Sequence, residues 1–199
     1  MKTLKQHIFE KLKVSVRNTT KHTLFPETKD ELKEMIEDEI SKKGNECSLN
    51  HIDVSKITNM SELFFGSKFN GDISNWDVSN DTDMGSMFYN SKFNGDISNW
   101  DVSHVENMSM MFAYSKFDGD ISSWNVSNVE TMEGMFSDSV FNGDISKWDV
   151  SKVENMDGMF YFADFDGDIS DWNVSQVKSM GDIFSLSPLG KNPPKWYKK

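Results

Sequence analysis

With a single cysteine, Cys47, the chain has no intrachain disulfide to hold it together, and that thiol reads as free, buried or half-buried. Four histidines stand at scattered positions without metal-ligand spacing, so no metal or other cofactor is expected from them. Basic residues are also short: 21 Lys and Arg face 32 Asp and Glu, for a net charge of -11, which makes nucleic acid and anionic membrane poor partners. The two signs nearly balance from Met1 to Ser48, and the acid excess lies from Leu49 to Gly190. No hydrophobic run is long enough to span a membrane. The amino terminus breaks its apolar positions Leu4, Ile8 and Phe9 with Lys5, Gln6, His7 and Glu10, so it reads without a signal peptide.

What the chain has instead is a repeat. The stretch Phe93-Asn94-Gly95-Asp96-Ile97-Ser98-Asn99-Trp100-Asp101-Val102-Ser103 has near copies beginning at Phe69, Phe117, Phe141 and Phe165. All six tryptophans, Trp76, Trp100, Trp124, Trp148, Trp172 and Trp196, fall 24 residues apart. A core assembled once from unlike elements does not produce such spacing.

Three segments follow: a helical cap over 1–48, the repeat over 49–190, and a carboxy-terminal cap with a basic tail over 191–199. In the first, Leu4, Ile8 and Leu12 recur every four residues among lysines, the pattern of a short amphipathic helix. Such a helix serves as a cap or as a basic tether to an acidic partner or membrane surface. Thr28 and Glu31 form a capping box, Leu32, Met35, Ile36 and Ile40 continue at helical spacing, and Gly44 supplies the stop. A stacked repeat leaves its first unit with an open apolar face, and this second helix has the greasy stripe to cover it. At the other end Pro193 and Pro194 remove backbone donors and end the stack.

Within a repeat the apolar residues step by three or four: Phe69, Ile73, Trp76, Val78, Met84, Met87 and Phe88. Neither a strand period nor a long helix has that spacing; a coil with one inward residue at each of several corners does. Asn59, Asp83, Asn107, Thr131, Asn155 and Ser179 stand before each first methionine as helix-start residues. Asn94-Gly95 and its equivalents are turn dipeptides, which leaves Ile97 to Ser103 as the extended side. The expected fold is an α/β solenoid of 24-residue coils, with short parallel strands on one side and short helices on the other. One column breaks the rule: Asp81 stands where other units have Ile57, Val105, Val129, Val153 and Val177. Either the column opens to solvent there, the favoured expectation, or Asp81 is a buried defect.

The full unit, Met84 to Val105 for example, resembles the BspA-type surface repeat, a group allied to leucine-rich repeats, over about Leu49 to Gly190. The resemblance implies a right-handed leucine-rich-repeat-like solenoid. For members that act as bacterial surface proteins it implies binding to host or partner-cell proteins. Those members carry secretion or lipoprotein signals, whereas short capped versions resemble proteins of gut bacteria and their phages. The location expected for this chain is cytoplasmic or on a phage particle.

Asp72, Asp96, Asp120, Asp144 and Asp168 form a column of acids that stacking would set against one another, by roughly 0.9 kcal/mol per pair even in water. Calcium is one way to offset this, and Asp164 to Asp168 is superficially like a calcium loop; the other is hydrogen bonding at each turn. Ser74, Ser98, Ser122, Ser146 and Ser170 recur without a recurrent base, so nucleophilic catalysis has nothing to work with and an enzyme is not expected. Binding in repeat arrays falls on positions the architecture leaves free. Two sets vary between copies: Asn75, Asn99, Ser123, Lys147 and Asp171 on the extended side, and Phe65, Tyr89, Tyr114, Tyr161 and Phe162 after the Met-Phe pair. The expected function is a non-enzymatic interaction module for a protein or glycan. The alternative is a structural or virion-associated scaffold, calcium-stabilised or assembling with copies of itself.

Overall fold

The computed structural model describes residues 21–198. The amphipathic stretch over Leu4, Ile8 and Leu12 lies outside the described residues. Helix α1 spans Lys29–Lys43. The Thr28 hydroxyl accepts the Glu31 N–H at 3.2 Å, and the Glu31 carboxylate accepts the Glu27 N–H at 2.7 Å, one residue ahead of the reciprocal capping-box bond. Gly44 ends the helix at φ 89° and donates its N–H to Ile40. Leu32 and Ile36 are buried, with Met35 and Ile40 packed beside them against the first repeat.

Residues before the repeat also supply backbone carbonyls to the first units. Asp53 donates to the Leu24 carbonyl, Asn70 to Asn45 and Asp72 to Cys47. The last approach is close enough to demand glycine next door: a Cβ on Gly71 would lie 1.9 Å from the Cys47 carbonyl oxygen.

Within the repeat, the expected strand and helix of each unit do not form. Among the described residues the helices are α1 and a 3-10 turn at Pro188–Gly190, and pairing is limited to isolated parallel bridges. Five of those bridges run Asn59↔Asp83↔Asn107↔Thr131↔Asn155↔Ser179, one unit to the next, and Leu24↔Ile52 and Ser48↔Asp72 precede them. The physical reason lies in where the N–H groups go. Met84, Ser86, Phe88 and Asn90 donate to Asn107, Ser109, Met111 and Ala113 of the following unit, at 2.8–2.9 Å. The intervening Met87, Tyr89 and Ser91 fold back onto carbonyls three residues earlier. A helix needs every N–H for its own chain, and here alternate ones are taken by a neighbour. Ser86 and Asn90 moreover have φ of 55° and 51°, and both positions recur with positive φ in other units, which no right-handed helix tolerates.

The helix-start residues still do their local chemistry. Asp83 Oδ1 accepts the Gly85 N–H at 3.0 Å and Asn107 Oδ1 the Ser109 N–H at 2.9 Å, closing turns rather than opening helices. Similar turns set the other corners. Asp96 receives Ser98, Asp101 receives Ser103, and the Ser91 hydroxyl receives the Phe93 N–H, so the segment expected to be extended is two consecutive turns.

The interior consists of matched columns. Phe88 and Phe112 stack at 5.6 Å, Phe93 and Phe117 at 6.3 Å, and Phe88 lies 4.5 Å from Phe93, so the two columns interleave. Each Trp is also tied across units: the Trp124 indole N–H donates to the Ile97 carbonyl at 3.1 Å, and Trp76, Trp100, Trp148, Trp172 and Trp196 repeat the bond. A buried ring of this size contributes at most about 4–6 kcal/mol.

Asp81 is not at an opening. It is 0% exposed, and Ile57, Val105, Val129 and Val153 of its column are buried as well, so the expectation of local access to solvent is corrected. Its Oδ1 accepts the Asp83 N–H at 3.1 Å, while Oδ2 has no partner. Burial pushes this carboxyl up to about 7. The folded state therefore holds the proton to higher pH than the unfolded chain, whose reference value is 3.8, and stability falls as pH rises between the two. Five exposed aspartates have the opposite sign. Serine hydroxyls hold Asp101, Asp149 and Asp168 below their ordinary range, and the Ser122 and Ser146 N–H groups do the same for Asp120 and Asp144. Their contribution is present above the unfolded value and lost as pH falls.

Two outcomes follow. Trp124→Ala should lower unfolding free energy by about 3–5 kcal/mol, measured in denaturant, since it removes a buried ring and orphans the Ile97 carbonyl. Asp81→Val should raise stability at neutral pH by on the order of 4 kcal/mol and abolish the decline between pH 4 and 7, leaving the acid-side loss intact. Melting curves across pH with the same slope in parent and variant would refute the buried-carboxylate account.

Candidate binding surface

The residue before each tryptophan points away from the core because its neighbour points in. Asn75, Asn99, Ser123, Lys147 and Asp171 are all exposed. Part of this set is engaged within the chain: the Asn75 N–H donates to Asn50 Oδ1 at 2.9 Å, and the Ser123 hydroxyl donates to the Ser98 carbonyl at 3.0 Å. Lys147 sits close enough to Asp144 and Asp168 to help keep both carboxyls low. Asn75 and Asn99 line a shallow depression of about 460 Å³ with Asp77, Asp96 and Asp101.

Along the acid column, each carboxylate takes local donors. Asp72, Asp96 and Asp120 each accept both the N–H and the hydroxyl of the serine two residues on, at 3.0 and 2.7 Å. The recurrent serine hydroxyls are thus spent on turns. Among the described residues no group of three or more His, Cys, Asp or Glu could hold a metal ion. His51 Nε2 lies 2.9 Å from Glu39 Oε2 on α1, and His104 is exposed.

The aromatic set occupies a different part of the surface. Phe65, Tyr89 and Tyr161 belong to one column, Tyr114 and Phe162 to the next. Phe65 stacks on Tyr89 at 4.7 Å and Tyr89 meets Tyr114 at 5.3 Å. These contacts do not hide the rings: Phe65 and Phe162 are 54% exposed, and Tyr114 46%. Tyr89, Tyr114 and Tyr161 line a groove of about 620 Å³ together with the small residues Ala113, Gly134 and Gly158. No residue is shared between this groove and the depression at Asn75 and Asn99; Ser123, Lys147 and Asp171 lie outside the depression, and Phe65 and Phe162 outside the groove.

Sequence reading missed the acids of the groove, Glu133, Asp157 and Asp182. Asn155 Nδ2 donates to Glu133 Oε2 at 3.1 Å, and the Ser179 hydroxyl donates to Asp157 Oδ2 at 2.6 Å. The Ser185 hydroxyl donates to Asp182 Oδ1 at 2.7 Å. A signal was there: Glu133 and Asp157 stand in a column that elsewhere holds Ser61, Gly85, Ser109 and Gly181.

Residues 30–140 and again 92–196 match a family described as "Mycoplasma protein of unknown function, DUF285". No curated protein and no solved structure matches the chain. Among the described residues no helix is long and apolar enough to cross a membrane.

Two of the ridge residues stand in left-handed backbone. Tyr114 and Phe162 have φ of 57° and 54°, in a column where other units place Gly66, Asn90, Asp138 and, in the last, Leu186. Glycine, asparagine and aspartate adopt that conformation readily, and a bulky ring does not. Phe162→Gly should therefore leave unfolding free energy unchanged or raise it by up to about 1 kcal/mol, despite deleting a phenylalanine. A loss above about 2 kcal/mol in denaturant titration would mean that the ring is needed for packing.

Proposed function

We propose, from the premise that this chain belongs to the DUF285 family, that it is a non-enzymatic module that binds a protein or glycan through its aromatic ridge. The observation that carries this reading is Tyr114 and Phe162: each is about half exposed, and each occupies a backbone conformation that penalises its side chain. Residues retained at a conformational cost, with little burial in return, are explained by contact with something outside the chain. Aromatics are the side chains that supply most binding energy at interfaces. The same reading takes the repeat as BspA-like and the units as a right-handed leucine-rich-repeat-like solenoid capped by residues 1–48. Supporting it are the unit-to-unit bridges and the cover that α1 gives the first unit.

The test is affinity capture from cell lysate and surface extract, comparing the parent with a Tyr89→Ser, Tyr114→Ser, Tyr161→Ser variant of matched melting temperature. A partner held by the parent alone is the expected result. A partner held equally by both moves the site to Asn75, Asn99, Ser123, Lys147 and Asp171, and no partner for either removes the binding reading.

A further inference from the structure

The groove behind the ridge has a charge that selects among partners. Its rim carries Glu133, Asp157 and Asp182, and no Lys, Arg or His lines it. A smaller depression of about 270 Å³ continues from it through the shared Met110 and Glu133, and its other acids are Glu62 and Asp83. The trough is therefore lined by aromatic, small and acidic side chains together, with no positive charge in the larger part.

The chain itself shows what fits such a place. Lys29, the first residue of α1, donates its ammonium to Ser61 Oγ at 2.7 Å and to Asn59 Oδ1 at 3.2 Å. Asn59 and Ser61 are the first members of two columns. Three units later those columns hold Thr131 and Glu133, and four units later Asn155 and Asp157. The hydroxyl that receives Lys29 is thus replaced, inside the groove, by a carboxylate, a stronger acceptor for the same ammonium. No lysine of the described chain fills it there.

We propose that the groove between Tyr89 and Tyr161 binds an extended, lysine-bearing peptide segment of a partner protein, with lysine ammonium groups on Glu133 and Asp157 and their stems along the tyrosine rings. The proposal rests on the ridge being a binding site and names its ligand class. Tyr89 and Tyr161 are three units apart in one column, about 14 Å at the usual spacing between paired backbones, which spans about four extended residues. A cation beside a tyrosine face is attracted to the ring, and with carboxylates opposite it is held from both sides. Ala113, Gly134 and Gly158 add little side-chain bulk to the lining, which leaves room for a peptide backbone.

The experiment is calorimetric titration, at about 0.15 M salt, of an acetylated and amidated peptide alternating serine with lysine, beside the same peptide with its lysines acetylated. The parent should bind the first and not the second. Glu133→Gln with Asp157→Asn should weaken binding by at least about tenfold, and Tyr89→Ser with Tyr161→Ser by roughly fivefold. Asp120→Asn with Asp144→Asn, an equal change of charge among exposed acids outside the groove, should stay within about twofold. Glu133→Gln alone keeps an acceptor for Asn155, so it reads charge even if the double variant folds poorly. Equal losses in the two charge variants would reduce the effect to diffuse attraction by an acidic protein and overturn the proposal, as would indifference to lysine acetylation. Should the parent ignore both peptides yet still capture a partner through its tyrosines, this inference falls and the module reading stands; failure of both experiments removes both.

Discussion

The structure depends on one backbone hydrogen bond, from an N–H to a carbonyl 23 residues ahead, made at every second residue of the Met-Phe segment. Once alternate donors are committed to the following unit, a unit can keep only turns for itself. Turns in turn need side chains that close them locally, and so Asp, Asn and Ser recur at the corners. The apolar residues between corners are left facing inward at a fixed height, where each meets its own copy. Ring on ring, as in the Phe88 and Phe112 pair, is the result of identical spacing rather than of any separate preference.

This order of causes explains what could be read beforehand. The length of the unit, the inward residues and the helix at Lys29–Lys43 follow from periodicity and capping, both local in sequence. The interior of each unit did not follow, because Asn107 before Met108 is the same signal whether the next N–H groups turn back or cross to a neighbour. Only the non-local bond decides, and it leaves no trace in a single copy. The aromatic positions were legible as the ones that vary. The groove acids were not, since Glu133 and Asp157 look like ordinary surface charge until the fold sets them beside Tyr161.

Two kinds of aspartate share the chain and obey opposite rules. Asp101 and Asp168, at corners, are exposed, receive serine donors and favour the folded state as carboxylates. Asp81 sits in an aliphatic column with half its carboxyl unpartnered and favours folding as an acid. Position within the unit, not residue type, determines the sign. The same holds for phenylalanine: Phe160 is wholly enclosed, and Phe162 two residues later stands more than half exposed in a left-handed turn.

The indole bonds give the chain a mechanical character as well. Each tryptophan fastens its own unit to the one before, while the ladder fastens it to the one after, so tension along the sequence loads these links unit by unit. A protein pulled from its two ends should yield one coil at a time, each release adding roughly 80 Å of chain. Because the units are bonded alike, the steps should be even in length, set by the 24-residue repeat.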